Sequence, residues 1–190
     1  MGTTLETEVK LACDDLDRLR KAGLTLRITK PRHFEDNWLL DTSDHLLMGR
    51  GAALRVRVVN GKGLITYKGV IDQTATSPLK VREEIESEVD DPVRVIELFE
   101  RLGYFRAFRY QKYRTVYATT LGQSRLEVTF DETPMGNFIE IEGDEQAVMG
   151  ALRAASFSAG DIIRDSYPEL QMQRCKARGV PLEDLVFIRI

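Results

Sequence analysis

The sequence predicts an α+β fold: antiparallel strands closed into a barrel, with charged side chains lining its lumen and helices packed outside. Three observations lead there. Short runs alternating apolar and charged residues recur along most of the 190-residue chain. Helical patterns are few and well separated. The charges on successive strands are sorted by sign rather than mixed.

Bulk properties set the frame. Apolar residues make up 43% and charged residues 30%, the balance of a globular chain. The length suits one domain spanning residues 1–190, without repeats, low-complexity segments or a linker. A net charge of −3 is too mild to imply a polyanionic macromolecule, so nucleic acid is not expected as a partner. Cys13 and Cys175 cannot build a disulfide framework. No signal peptide and no apolar run of membrane-spanning length is visible, so the expectation is a cytoplasmic protein with no membrane partner.

The elements follow in order. Leu5–Leu11 alternates as a strand, and Asp14 or Asp15 caps a short helix ended by Gly23. Leu24–Lys30 and His33–Asp41 read as extended, with Pro31 between them, and Thr42–Gly51 as a loop. Ala53–Val59 and Leu64–Lys68 flank the hairpin signal Asn60-Gly61-Lys62-Gly63. Val70–Pro78 reads as a loop and Leu79–Val89 as a strand. Asp91 caps a helix with Pro92 in its first turn and Gly103 beyond its end. Phe105–Thr119 is extended, and Ser124–Phe130 and Asn137–Gly143 are strands joined by a Pro/Gly turn. Asp144 opens a helix to about Ala155, and Ser166 opens the last one, ending near Gly179. The terminal EDLVFIRI suits a strand, a packing tail or a subunit contact, the last of these allowing a homodimer.

A strand has a side-chain period of two, so one face of each strand can be listed. Glu6, Glu8 and Lys10 share a face, as do Arg55 with Arg57, and Thr66 with Lys68. Arg82, Glu84, Glu86 and Glu88 share another; Lys112 and Arg114, Arg125 through Asp131, and Glu140 with Glu142 continue the pattern. Any one of these strands reads equally well as half buried with a solvated outer face. The set is different, because exposed strand faces favour Thr, Ser, Gln and Tyr over acids. Closing the sheet puts one parity of every strand inside. Clustered bases then call for a polyanion, and clustered carboxylates for a divalent cation with hard oxygen ligands. A metal–polyphosphate complex satisfies both.

Glu6-x-Glu8-x-Lys10 resembles the ExExK signature of the CYTH domains, or triphosphate tunnel metalloenzymes. The resemblance continues in order through Leu54-Arg55-x-Arg57, Thr66-x-Lys68, Arg82-x-Glu84-x-Glu86, Lys112-x-Arg114, Asp131, Gly136–Glu142 and Ser166-Tyr167, spanning residues 5–170. It implies an eight-stranded antiparallel tunnel that binds a small-molecule triphosphate and acts on it with Mg²⁺ or Mn²⁺, two ions per site. Carried over, Arg55, Arg57, Lys68, Arg82, Lys112 and Arg114 would hold phosphate oxygens. Lys10, Glu6 and Glu8 would be catalytic, Lys10 contacting phosphate oxygens or the transferred phosphoryl group. Glu6, Glu8, Glu84, Glu86, Asp131, Glu140 and Glu142 would serve the metal as ligands or orienters.

The resemblance supports a triphosphatase using water first, a class IV adenylate cyclase second and a non-catalytic polyphosphate-binding module third. Animal thiamine triphosphatases carry a Trp where this chain has Ala53, and class IV cyclases carry a His-Phe pair before ExExK where this chain has Met1-Gly2-Thr3-Thr4. Both departures favour the hydrolase on another triphosphate. His33 and His45 read as structural or surface residues.

Overall fold

The computed structural model describes residues 4–70 and 80–188. The strands are β1 (Thr4–Ala12), β2 (Arg27–Thr42), β3 (Ala53–Val59), β4 (Lys62–Val70), β5 (Lys80–Val89), β6 (Tyr104–Leu121), β7 (Ser124–Thr133), β8 (Gly136–Gly143) and β9 (Ile162–Ile163). The helices are α1 (Asp17–Lys21), α2 (Leu46–Gly49), α3 (Pro92–Arg101), α4 (Glu145–Ala154) and α5 (Tyr167–Arg178). The expected loop at 70–78 lies outside the described residues from position 71 on, as do Leu79, the last two residues of the tail and the side chain of Glu6.

The expectation of a closed eight-stranded barrel is corrected by the strand order. The strands form one nine-stranded antiparallel sheet, ordered β5-β4-β3-β2-β6-β7-β8-β1-β9. A regular barrel gives every strand two full-length neighbours. Here β1 meets β5 only along Thr4–Glu8 and Lys80–Glu84, and the same strand takes β9 at Lys10 and Leu11 while pairing β8 from Glu8 to Ala12. Among the described residues the α-helices are also few, five against nine strands.

The sheet is nevertheless strongly rolled. Lys68 on β4 helps to hold down the pKa of Glu140 on β8. Five strand steps separate them in the sheet order, about 24 Å if the sheet were flat. Charges that far apart would be largely screened. The curvature therefore brings the charged faces of distant strands together.

Two helices cover apolar strand faces. Ala147, Val148, Ala151 and Leu152 of α4 pack on Val9, Leu11, Leu126, Val128, Ile139 and Ile141. Ile96 of α3 packs on Leu40, Leu54 and Val56. Both helices start as their caps require: Asp91 accepts from the Arg94 amide, and Asp144 from those of Gln146 and Ala147. The third helix behaves differently. Tyr167, the first residue of α5, joins Phe108, Tyr110, Phe138 and Leu185 in a cluster whose strand members lie on the parity of Lys112 and Glu140. An aromatic plug thus borders the charged face.

Local differences from the sequence reading have simple causes. The two extended segments around Pro31 are one 16-residue strand with register shifts at Ile28/Lys30 and Lys30/His33. The loop at 42–51 contains the short α2 because the buried Asp41 carboxylate accepts from the amides of Leu47 and Met48. Helix α1 begins at Asp17, with Asp15 accepting from its amide. The C-terminal tail is a packing element: Leu185 pairs with β6 through hydrogen bonds to Arg109 and Gln111 and is buried.

Candidate active site

Strand register decides which charges face each other. Lys112 on β6 lies opposite Glu35 on β2, and Arg114 opposite Asp131 on β7. Glu140 on β8 lies opposite Lys10 on β1, and Glu142 opposite Glu8. Lys68 on β4 lies opposite Glu84 on β5, and Arg82 on β5 opposite Glu6 on β1.

One hub forms around Asp131, which is fully buried. Lys112 Nζ donates to its Oδ2 at 2.8 Å, and the Arg114 guanidinium grips both oxygens at 2.6 Å. The Tyr167 hydroxyl donates to Oδ2 at 2.6 Å. Arg114 also reaches Glu140, which Lys10 approaches at 3.5 Å. The Lys10 ammonium sits 4.4 Å from the centre of the Tyr167 ring. Burial alone would raise the pKa of Glu140, but Arg114, then Lys10, Lys112 and Lys68, hold it well below the ordinary carboxylate range. Burial, with Asp131 and Glu140 adding to it, pushes the Tyr167 phenol well above its usual value, so it stays a donor.

A second group lies around Arg55 and Arg57. Arg55 donates to Thr66 Oγ1 at 3.0 Å and to the Tyr110 hydroxyl at 3.3 Å, and Thr66 passes the contact on to Glu86 at 2.8 Å. Arg57 Nε donates to Asn37 Oδ1 at 3.2 Å and lies 3.4 Å from Glu35. Burial lowers the pKa of Arg57, and Arg55 beside it lowers it further. Burial would raise the Tyr110 phenol, yet Arg55, Lys112 and Arg57 draw it below its usual value. The Tyr110 shift reports the three cations around it, whereas, against burial, Arg55 is raised by Tyr110, Glu35 and Glu84, and Arg114 by Asp131 and Glu140.

The face therefore gathers Lys10, Arg55, Arg57, Lys112, Arg114, Asp131 and Glu140, with Lys68 ion-paired to Glu84 at 3.3 Å. Glu8 and Glu142 face each other across β1 and β8, and Glu86 is the most solvent-exposed of the expected acids with a resolved ion pair. Arg82 is half buried beside β1. Among the described residues, no three His, Cys, Asp or Glu side chains converge tightly enough to hold an ion by themselves.

Sequence reasoning missed four contributors: His33, Glu35 and Asn37 of β2 and Tyr110 of β6. All four share the charged parity. The signal was hidden because Asp36, on the opposite parity, is itself a charged residue, paired with Arg109 at 2.7 Å outside the site.

A model of the CYTH domain matches residues 4–160. The chain belongs to the CYTH domain family. A Methanocaldococcus jannaschii protein named "putative adenylate cyclase" is 28% identical to this CYTH chain, covering 88% of it and 98% of the relative. The solved structure of the PH1012 protein from Pyrococcus horikoshii is similar, with 26% identity, a TM-score of 0.62 and coverage of 85% and 96%. An adenylate-cyclase-named protein from Vibrio parahaemolyticus shares the fold at TM-score 0.72 and 17% identity, over 89% of this CYTH chain and 98% of its own. So does HpAC1 from Hippeastrum, at TM-score 0.59 and 21% identity over 95% and 99%; that protein is described as having a dominant triphosphatase activity. Among the described residues, no helix is long and apolar enough to cross a membrane.

Proposed function

We propose that this CYTH protein is a metal-dependent triphosphatase that binds a triphosphate on its charged face and hydrolyses it. The observation carrying this reading is the gathering of six buried or half-buried cations, Lys10, Arg55, Arg57, Lys68, Lys112 and Arg114, on one sheet face. Burial works hardest against the charge of Arg57, and Arg55 adds to it while Glu35 opposes both. A bound polyanion would add compensation there, and a triphosphate supplies about four negative charges in a compact chain.

Arg55 and Arg57 suit planar, bidentate grip on phosphate; Arg114, already gripping Asp131, would add its charge and remaining donors, while Lys10, Lys68 and Lys112 act as point charges, with Arg82 near the β1–β5 seam. Lys10, beside Glu140 and the Tyr167 ring, would neutralise charge on the phosphoryl group that transfers. Asp131 and Glu140 are engaged by cations, so their first task is to aim Lys112, Arg114 and Lys10.

The acids fit a divalent ion in kind. Carboxylates are the hard oxygen donors that Mg²⁺ and Mn²⁺ take. Glu8 and Glu142 stand directly across a strand pair, an arrangement of like charges that a cation stabilises. Glu8 and Glu142, with Glu6, would hold the metal, and Glu84 and Glu86 would serve a second ion. Bound there, the metal supplies charge neutralisation and an acidified water. Water adds to the terminal phosphorus, the bridging P–O bond breaks, and the cation group holds the departing diphosphate.

Cyclase chemistry is the second reading, favoured by the name of the 28% identical relative. Incubation with ATP or tripolyphosphate and Mg²⁺ or Mn²⁺ separates the two. Orthophosphate released together with diphosphate from tripolyphosphate, or with ADP from ATP, supports the hydrolase; cyclic AMP and pyrophosphate from ATP contradict it.

A further inference from the structure

Glu35 is the most deeply buried carboxylate that the triphosphate reading leaves without a role. It is 1% exposed. Its Oε2 lies 3.4 Å from Arg57 Nε and 3.6 Å from Lys112 Nζ, within ion-pair range of both. Yet Oε2 is hydrogen-bonded to neither, nor to any other group. Its other oxygen, Oε1, faces His33 Nε2 at 3.3 Å, and His33 Nδ1 meets the Pro31 carbonyl at 2.8 Å. Beside it, the Asn37 amide uses its oxygen on Arg57 while its Nδ2 donor has no partner. A buried carboxylate touching two cations without closing a hydrogen bond is a loose counter-ion. It holds the charges in place without consuming their donors.

We infer that Glu35 is a positioning residue of the cation group, an internal anion that competes with substrate and product phosphates for Arg57 and Lys112, and that His33 sets the strength of this competition. The inference rests on the triphosphate reading above. When His33 is neutral, Glu35 presents its full negative charge to the site. When His33 is protonated, it donates to Glu35 and offsets that charge, leaving Arg57 and Lys112 freer for phosphate.

The surroundings of the pair can be named from every strand beside it. On β6, Arg114 is the cross-strand neighbour of His33 and Lys112 that of Glu35. From β3, Arg57 reaches Glu35, and Arg55 feels its charge. From β7, Asp131 engages both Arg114 and Lys112 and draws them away from the pair. The hydrogen bond to Glu35 raises the pKa of His33, while burial and Arg114 oppose the rise. His33 therefore holds its proton to higher pH than an unperturbed imidazole, and a change in its proton occupancy alters the charge facing Glu35.

The test is calorimetric titration of sodium tripolyphosphate, with EDTA present and no divalent ion, at several pH values from 6 to 9. Glu35→Gln keeps the shape and removes the charge. The expected result is tighter tripolyphosphate binding, by about fivefold or more at high pH, with a flatter pH dependence than wild type. The ligand's own protonation is common to both proteins and cancels in the comparison. His33→Gln, at a half-buried position that can still donate to Glu35, is expected to bind as wild type does at high pH and to lose the tightening on acidification. A residue serving only stability gives unchanged or weaker binding in folded Glu35→Gln, and that result overturns the inference. So does a His33→Gln variant with the wild-type pH profile. Failure of wild-type protein to bind tripolyphosphate at any pH overturns the triphosphate reading, and the competition role with it; binding with the wrong variant response overturns the competition role alone.

Discussion

Asp131 shows at single-residue scale how this protein organises charge. One carboxylate receives Lys112, Arg114 and Tyr167 in a fully buried position. Taking one partner from such a network leaves uncompensated charges in a poor solvent. Asp131→Ala is expected to lose about 3–5 kcal/mol of stability in urea denaturation. Glu8 and Glu142, opposite each other on β1 and β8, are the acids proposed to hold the ion. Glu142→Gln is expected to abolish Mg²⁺-dependent turnover while leaving the urea midpoint near that of wild type; unchanged turnover would remove Glu142 from the metal assignment. Parity put Asp131, Glu140, Lys112 and Arg114 on charged strand faces, and the family resemblance singled them out as site residues. The sequence concealed Glu35, because a strand with Asp36 on the other face does not separate into a charged and an apolar side. The partner that gives Glu35 meaning, Arg57, lies twenty-two positions away.

At the scale of elements, hairpins and caps were the readable parts. Asn60 and Gly61 both take positive φ, at 51° and 81°, which is what an Asn-Gly turn between right-twisted strands requires. Asp91, Pro92, Asp144 and Gly179 mark helix ends by local chemistry that needs no tertiary information. Segments governed by distant contacts were harder. The tail around Leu185 finds its place only because β7 pairs with β6 from Tyr113 onward, leaving Arg109–Gln111 to the tail. Gly63 illustrates a tight seam between elements. A Cβ there would stand 2.6 Å from Val89 Cγ2 and 2.7 Å from Pro92 Cβ, where β4, β5 and the start of α3 meet. Gly63→Ala is expected to cost about 1–3 kcal/mol, measured by chemical denaturation, through overpacking that neither neighbour can relieve by rotating a long side chain.

Across the whole molecule, the sheet's roll turns scattered strand charges into one site. Periodicity revealed which faces are charged and that they belong together. It did not reveal how the ends of the sheet meet, because β1 divides its pairing between β5 and β8, and β9 adds only the two residues Ile162 and Ile163 beside it. The collective charge also predicts a pH profile of stability. Glu35 and Glu140 have depressed values despite burial, so their contribution is present above the ordinary carboxylate range and lost as pH falls through their folded values. His33 is raised, so its contribution is present below about 6.5 and lost as pH rises through its folded value. Thermal melts are expected to show greatest stability at mildly acidic pH, with a steep loss under stronger acid; a profile flat down to pH 3 would contradict the buried ion-pair account.

All of this leads to one claim, that the gathered cations exist to hold a polyphosphate for hydrolysis. The direct measurement is orthophosphate release from tripolyphosphate with Mg²⁺ or Mn²⁺, run side by side on wild type and Arg57→Ala. The account predicts metal-dependent turnover by wild type and a KM raised by about tenfold or more in the variant, from losing a charge-assisted contact. Absence of turnover with either metal, or identical KM values in the two proteins, would contradict it.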